Sequence, residues 1–186
     1  MREELKYTTF NTKMGWIGIL ASTRGLLGTT LPQSSARKAH QLLGDSANQA
    51  SPSPHLLADL AERLKAYFSG LRATFPDKLD LPAATPFQRE VWKITRLIPY
   101  GETKSYLWVA NQIKRPGAMR AVGQALSRNP LAIIVPCHRV VASNGELGGF
   151  SGGLEMKNDL LWLESFGNSR TCSDILFVAG NRRLQL

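Results

Sequence analysis

Ser105-Tyr106-Leu107-Trp108-Val109-Ala110-Asn111-Gln112-Ile113-Lys114-Arg115-Pro116-Gly117-Ala118-Met119-Arg120-Ala121-Val122-Gly123-Gln124-Ala125-Leu126-Ser127 is the stretch on which the fold turns. Ser105 can cap a helix running to about Ile113. Arg115-Pro116-Gly117 breaks it, and a second helix runs from about Ala118 to Ser127. Two short helices about a tight, Gly-containing turn are a helix-turn-helix signal, and equally the signal of an ordinary αα-hairpin. The spacing predicts Met119, Val122 and Leu126 toward the core, with Arg120, Gly123, Gln124 and Ser127 outward. That outer face is small and polar and carries one cation.

Downstream, Leu131 to Val135 is apolar and β-branched between Pro130 and Pro136, which predicts a buried strand. Cys137-His138-Arg139-Val140-Val141 follows, then a Gly-rich loop from Gly145 to Gly153 and a helix from about Leu154 to Phe166, ended by Gly167. Upstream, Phe87 to Ile98 reads as a helix with Phe87, Val91, Ile94, Leu97 and Ile98 on one face, and Pro99-Tyr100-Gly101 breaks it. Residues 71–84, with Pro76 and Pro82, read as an extended linker, which places a domain boundary there.

The first half has a different texture. Residues 5–31 predict an antiparallel meander of three strands, turning at Met14-Gly15 and at Ser22 to Gly25. Ser34 to Leu43 predicts a helix capped by Ser34 or Ser35. Gly44 to Pro54 reads as a loop. His55 to Phe68 is amphipathic, with Leu56, Leu57, Leu60, Leu64, Tyr67 and Phe68 in one stripe.

The chain has 186 residues and a formal net charge of +9. Length permits one domain or two small ones. No apolar run approaches the roughly 18 residues of a spanning helix, and the acidic start Met1-Arg2-Glu3-Glu4 is unlike a signal peptide, so a cytoplasmic protein without membrane attachment is expected. No acid occurs between Glu102 and Glu146, while Lys104, Lys114, Arg115, Arg120, Arg128 and Arg139 all fall there. An acid-free basic stretch points to a polyanionic partner. The cysteines are Cys137 and Cys172 and the histidines His40, His55 and His138, without metal-ligand spacing, so neither a disulfide framework nor a metal is expected.

Cys137 stands apart from a lone buried cysteine, the reading that suffices for Cys172. A thiolate is the nucleophile, and a neighbouring imidazole and basic surroundings would favour it. On an extended chain, Cys137 and His138 would point to opposite faces. Their cooperation requires a turn directly after Pro136. An acid is also needed to orient the imidazole, and Glu164 on the last helix is the one the pattern offers.

Pro136-Cys137-His138-Arg139-Val140-Val141, with Asn129-Pro130 before it and Ser151-Gly152-Gly153 after it, resembles the O6-alkylguanine-DNA alkyltransferases. The similarity also takes in Phe87-Gln88, Val91-Trp92, Ile98-Pro99-Tyr100-Gly101-Glu102, Ser105-Tyr106 and Arg120-Ala121-Val122-Gly123, and so covers the whole second half. The resemblance implies a ribonuclease-H-like α/β first domain over residues 1–80 with a small antiparallel sheet. It also implies a linker ending at 81–84 and a mostly helical transfer and DNA-binding domain over 85–167. Residues 168–186 form a tail without an assigned role. It implies single-turnover repair in which Cys137 takes the alkyl group from O6-alkylguanine in double-stranded DNA, without a cofactor and as a monomer.

The roles implied are specific. His138 acts on Cys137 through a water, Glu164 polarises His138, and Asn129 braces the active-site turn. Tyr106 donates to the departing guanine, Ser151 bonds near O6, and the carbonyls of Cys137 and Val140 read the exocyclic amine. Lys157 supports the active-site loop. Arg120 fills the stack left by the flipped base, and Ala121 and Gly123, with Ser105 nearby, admit the minor groove. Phe150 stands where many members carry tyrosine, so it stacks without a hydroxyl. The rival readings are a lesion-binding protein of this type that lacks transfer, a helix-turn-helix regulator and a cysteine hydrolase. The acceptor cysteine speaks against the first. Ala121 and Gly123, which cannot read bases, speak against the second. For the third, no oxyanion-hole signal is present.

Overall fold

The computed structural model describes residues 4–166; Gly167, Cys172 and the tail expected after them lie outside the described residues. The chain opens with β1 (Lys6–Thr12), β2 (Gly15–Ala21) and β3 (Leu26–Thr29). β1 and β2 pair antiparallel in unbroken register from Lys6 with Ala21 to Thr12 with Gly15, and β3 pairs antiparallel with β2. The meander read from the turn residues is thus present.

α1 (Ala36–Leu42) follows, capped by Ser35, whose hydroxyl accepts from the Lys38 amide. The segment 44–54, expected as loop, instead holds the one-turn α2 (Asp45–Asn48) and β4 (Ser51–Pro52). β4 lies parallel to β1, so the sheet is mixed in the order β3-β2-β1-β4, not purely antiparallel. A strand of two residues containing a proline leaves no periodicity to read.

α3 (Ala58–Tyr67) buries Leu60, Ala61, Leu64 and Tyr67. It begins three residues later than the apolar stripe predicts, and Leu56, in the turn before it, is 67% exposed. Residues 71–84 carry no helix but lie against the first half. The Leu26 amide bonds the Lys78 carbonyl at 2.9 Å, and the Asp80 amide bonds the Leu26 carbonyl at 2.8 Å. Gly25 makes this possible, because a Cβ there would stand 2.5 Å from the Lys78 oxygen. Arg63 of α3 holds Asp77 through two bonds of 2.8 Å.

α4 (Pro86–Thr95) starts with Thr85 and Gln88 in a reciprocal capping box and Pro86 in the first turn, where its missing N–H costs nothing. It ends before Leu97, which lies outside the apolar face and is 65% exposed. β5 (Lys104–Ser105) leads into α5 (Tyr106–Gln112), whose cap is Ser105 accepting from Trp108. α5 closes with Lys114 in the left-handed region at φ 57°, where the Arg115 amide reaches back to Ala110. That is a glycine's position, filled here by a lysine at a modest cost. A 3-10 turn (Pro116–Ala118) then starts α6 (Met119–Ser127). Val122, Ala125 and Leu126 are buried, but Met119, predicted inward, is 42% exposed at the helix's first residue. The Trp92 indole N–H donates to the Ala125 carbonyl at 3.0 Å and ties α4 to α6.

Leu131 and Ile133 to Val135 are buried as predicted, with Ala132 half-buried, but the run is not a strand: the Val135 amide returns to Leu131 and the Ile134 amide to Ala132, and Ile133 sits at φ 70°. Apolarity signals burial without saying how the backbone bends. A β-branched residue in that region is strained by about 1–3 kcal/mol. β6 (Val140–Val141) pairs parallel with β5, and α7 (Leu154–Phe166) ends the described chain. One contiguous apolar cluster includes Ile17, Leu64 and Tyr67 from the first half and Val91, Val122 and Leu160 from the second. No helix among the described residues is long and apolar enough to cross a membrane.

Candidate active site

The turn demanded after Pro136 is there. Cys137–Arg139 forms a 3-10 turn, so that Cys137 and His138 no longer alternate as on a strand, and all three residues are buried. Asn129, just past α6, shapes the preceding turn. Its side-chain oxygen accepts the Leu131 amide at 3.0 Å, and its amide group donates to the Val135 carbonyl at 2.9 Å. The same Nδ2 stands 3.3 Å from Cys137 Sγ. One side chain thus supplies the partners a sheet neighbour would have supplied, and touches the thiol as well.

His138 Nε2 is 2.7 Å from Glu164 Oε1 of α7, with both side chains at most 1% exposed. Glu164 is held from several sides. Arg139 donates from Nε to Oε2 and from Nη2 to Oε1, both at 2.9 Å, and the Gly101 amide donates to Oε2 at 3.0 Å. The Tyr67 hydroxyl donates to Oε1 at 2.7 Å, and its oxygen is 3.2 Å from His138 Nε2. Among the described residues, His138 Nδ1 is the one buried side-chain polar atom without a partner.

Burial works to raise the Glu164 carboxyl, but the bonds and charges of His138 and Arg139 together hold it at about 2. Arg139 secures that ionisation whatever the state of His138. Burial pushes His138 below its ordinary value, with Glu164 opposing, so the imidazole rests neutral and can serve as a base. Burial likewise pushes the Cys137 thiol up, against the Asn129 bond and the Lys157 charge. The basic surroundings were expected to favour the thiolate, but desolvation outweighs them here.

Lys157 is fully buried and its Nζ donates to the Val140 carbonyl at 2.6 Å and to the Leu147 carbonyl. Burial lowers it to about 8. It therefore joins the strand after the thiol to the Gly-rich loop. The Val140 carbonyl is engaged by it, and the Cys137 carbonyl accepts the Val140 amide. Each keeps one lone pair for another donor.

A cleft of about 490 Å³ is lined by Tyr106, Met119, Arg120, Gly123, Phe150 and Ser151, among others. Cys137, 7% exposed, is not part of the lining. The pairing of β5 with β6 sets the start of α5 beside the residues that follow the thiol. Burial raises the Tyr106 hydroxyl, with the charge of Cys137 adding to it, so it stays protonated near neutrality. A Cβ at Gly123 would meet the Tyr106 ring at 3.7 Å, an ordinary contact, so the ring itself does not require a glycine there. Arg120 and Ala121 are exposed on α6, and the Ser105 hydroxyl is occupied as a helix cap. A larger cleft, of about 650 Å³ between α4 and residues 74–81, shares no lining residue with this one.

Most of the predicted residues therefore fall into two groups. Cys137, His138, Glu164 and Lys157 are buried with the half-buried Asn129 beside the thiol, Tyr106, Arg120, Gly123, Phe150 and Ser151 line the cleft, and Ser105, Ala121 and Val140 are not part of that lining. Arg139 was read as part of a basic surface, but it is 7% exposed and serves Glu164. Tyr67 was read only as core. A buried tyrosine needs a partner for its hydroxyl, which was the signal available. No group of three or more potential metal ligands occurs among the described residues.

Comparison with known proteins agrees with this geometry. A family described as "6-O-methylguanine DNA methyltransferase, DNA binding domain" matches residues 86–166. A methylated-DNA–protein-cysteine methyltransferase of Mycobacterium tuberculosis is 45% identical over 139 residues, 75% of this chain and 82% of that protein. One from Mycobacterium leprae is 51% identical over 113 residues, 61% and 68% of the two. The crystal structure of Mycobacterium tuberculosis OGT in complex with DNA superposes with a TM-score of 0.75 at 37% identity, covering 92% of this chain and 99% of that one. The likeness runs through the half that holds Cys137, His138 and Glu164 and continues across the sheet, so the chain belongs to the methylated-DNA–protein-cysteine methyltransferase family.

Proposed function

We propose that this protein repairs double-stranded DNA by moving the alkyl group of O6-alkylguanine onto Cys137, once per chain. The observation that carries the reading is the thiol's neighbour: His138 is fixed to Glu164 through Nε2 and keeps Nδ1 as an unpaired base. The Cys137 proton passes to that nitrogen through a water. The sulfur then forms a bond to the alkyl carbon as the carbon–O6 bond breaks. The electron pair leaves with guanine, and the Tyr106 hydroxyl donates to the departing base. A thioether has no easy reversal, so each chain acts once.

O6 is enclosed in a duplex, so the base must leave the stack, at a cost of a few kcal/mol. α5 and α6 act as the helix-turn-helix. The exposed Arg120 holds the vacated space, Ala121 and Gly123 permit approach to the minor groove, and Ser105 sits nearby. Phe150 stacks on the base and Ser151 bonds near O6, while the Cys137 and Val140 carbonyls meet the exocyclic amine and Lys157 holds the loop. Residues 1–80 form a ribonuclease-H-like supporting domain and 85–167 the transfer domain. One chain carries every group required, consistent with a monomer.

The test is the intact mass of the protein after mixing with a duplex containing one O6-methylguanine. One added methyl per chain, mapped to Cys137 and lost in Cys137→Ala, is expected. An unmodified protein that still binds the duplex would refute transfer and leave a lesion-binding protein.

A further inference from the structure

We infer that Tyr67 is a positioning residue for the transfer, acting through His138 and Glu164; the inference rests on the relay proposed above. Tyr67 lies on α3 in the first half, 71 residues before His138, and is fully buried. Its ring stands edge-on to Phe68, Phe75 and Tyr100 at centroid distances of 5.1, 6.2 and 6.0 Å. A phenylalanine would fill that aromatic nest equally well. The hydroxyl is what a core residue has no need of, since burying it unpaired costs energy.

The hydrogen-bond logic gives it a task. Glu164 is ionised and can only accept, so the one phenolic proton goes to Oε1 at 2.7 Å. Toward His138 the phenol therefore presents its oxygen, 3.2 Å from Nε2. Nε2 faces two acceptors, Glu164 Oε1 and the Tyr67 oxygen, and must carry the proton. Nδ1 is left bare as the base that receives the thiol's proton. Tyr67, Glu164 and His138 thus form a closed triangle with sides of 2.7, 2.7 and 3.2 Å. A second contact at Nε2 limits ring rotation in a way that one bond to a carboxylate does not. Reaction rates depend steeply on such placement.

The test compares Tyr67→Phe, Phe75→Leu and Glu164→Gln in the full chain. Single-turnover transfer from an O6-methylguanine duplex, duplex affinity and the His138 Nε2 proton resonance are measured for each. Tyr67→Phe is expected to slow transfer about tenfold while leaving duplex affinity unchanged, and to move the His138 resonance. Phe75→Leu loosens the same nest but keeps the hydroxyl, and is expected to leave rate and resonance as they are. A Tyr67→Phe protein with the original rate and resonance, beside a slow Glu164→Gln, overturns the role of Tyr67 alone. So does equal slowing by Phe75→Leu, which would assign the effect to packing. Glu164→Gln at the original rate overturns the relay itself.

Discussion

Arg139→Met puts the buried charge cluster to a direct test. Methionine keeps much of the aliphatic volume and removes the guanidinium. In the native protein that group makes two 2.9 Å bonds to Glu164 and donates from Nη1 to the Ile98 carbonyl at 2.7 Å. The pair is out of water, with side-chain exposures of 8% and 1%. Breaking one partner of a buried pair typically costs about 3–5 kcal/mol, because the other charge is left without compensation. Glu164 would keep His138, Tyr67 and the Gly101 amide, which places the expected loss near the lower end, about 3 kcal/mol. For a chain of this size that corresponds to a fall of roughly 6–12 °C in melting temperature.

The pH dependence gives a second reading of the same change. Glu164 is held at about 2, below the ordinary 4.5. A depressed acid contributes stability that is complete above 4.5 and is lost as pH falls toward 2. That gap is worth about 3 kcal/mol. Without Arg139, burial raises the carboxyl, so the acid limb of stability moves to higher pH. Urea unfolding followed by circular dichroism across pH 3 to 8, on native protein and variant, measures both effects. A loss below about 1 kcal/mol, or an acid limb that stays in place, would refute the claim that Arg139 neutralises Glu164. Adding Glu164→Gln to the variant should restore part of the loss, since the stranded charge is then gone.

Two further outcomes follow from contacts at the cleft and the turn. Gly148 has φ 65°, and a Cβ there would come within 2.8 Å of the Tyr106 hydroxyl oxygen; Gly145, at φ 87°, faces open space. Gly148→Ala should therefore slow single-turnover transfer by about tenfold or more, while Gly145→Ala costs only about 1 kcal/mol of stability and leaves the rate unchanged. Asn129→Ala removes the bonds to Leu131, Val135 and Cys137 Sγ. It should destabilise the protein by about 1–3 kcal/mol and push the thiol still higher, read as a shift to higher pH in alkylation of Cys137 by iodoacetamide.

What the sequence made legible was local chemistry. Gly15 and Gly25 marked the hairpins, and Ser35 and Ser105 marked helix starts, because turns and caps depend on a few adjacent residues. The same reasoning put Cys137 and His138 on a turn, since no extended chain lets them cooperate. It faltered where apolarity stood in for geometry. Leu56, Leu97 and Met119 belong to the stripes by spacing but lie in turns or at a helix end, where the helical period no longer applies. Leu131 to Val135 is buried through a turn whose backbone partners come from Asn129, and nothing within the run announces that. Arg139 and Tyr67 were misread for one shared reason. Both act on Glu164, and contacts across 25 and 97 positions leave no period in a sequence.

Burial acts in opposite senses on the two groups that exchange a proton in the proposed transfer. It raises the Cys137 thiol and lowers His138, so the resting pair is neutral on both sides. A standing thiolate would be open to any oxidant or electrophile. A neutral thiol in a buried turn becomes a nucleophile only when moving its proton is coupled to departure of a leaving group. Forming the thiolate and imidazolium together creates opposite charges, with Lys157 favouring the first and Glu164 the second. Both stabilising groups are already fixed by hydrogen bonds, so little reorganisation is needed at the moment of transfer. On this reading the protein is selective because it presents a buried thiol, touched at Sγ by Asn129, to a base delivered into the site.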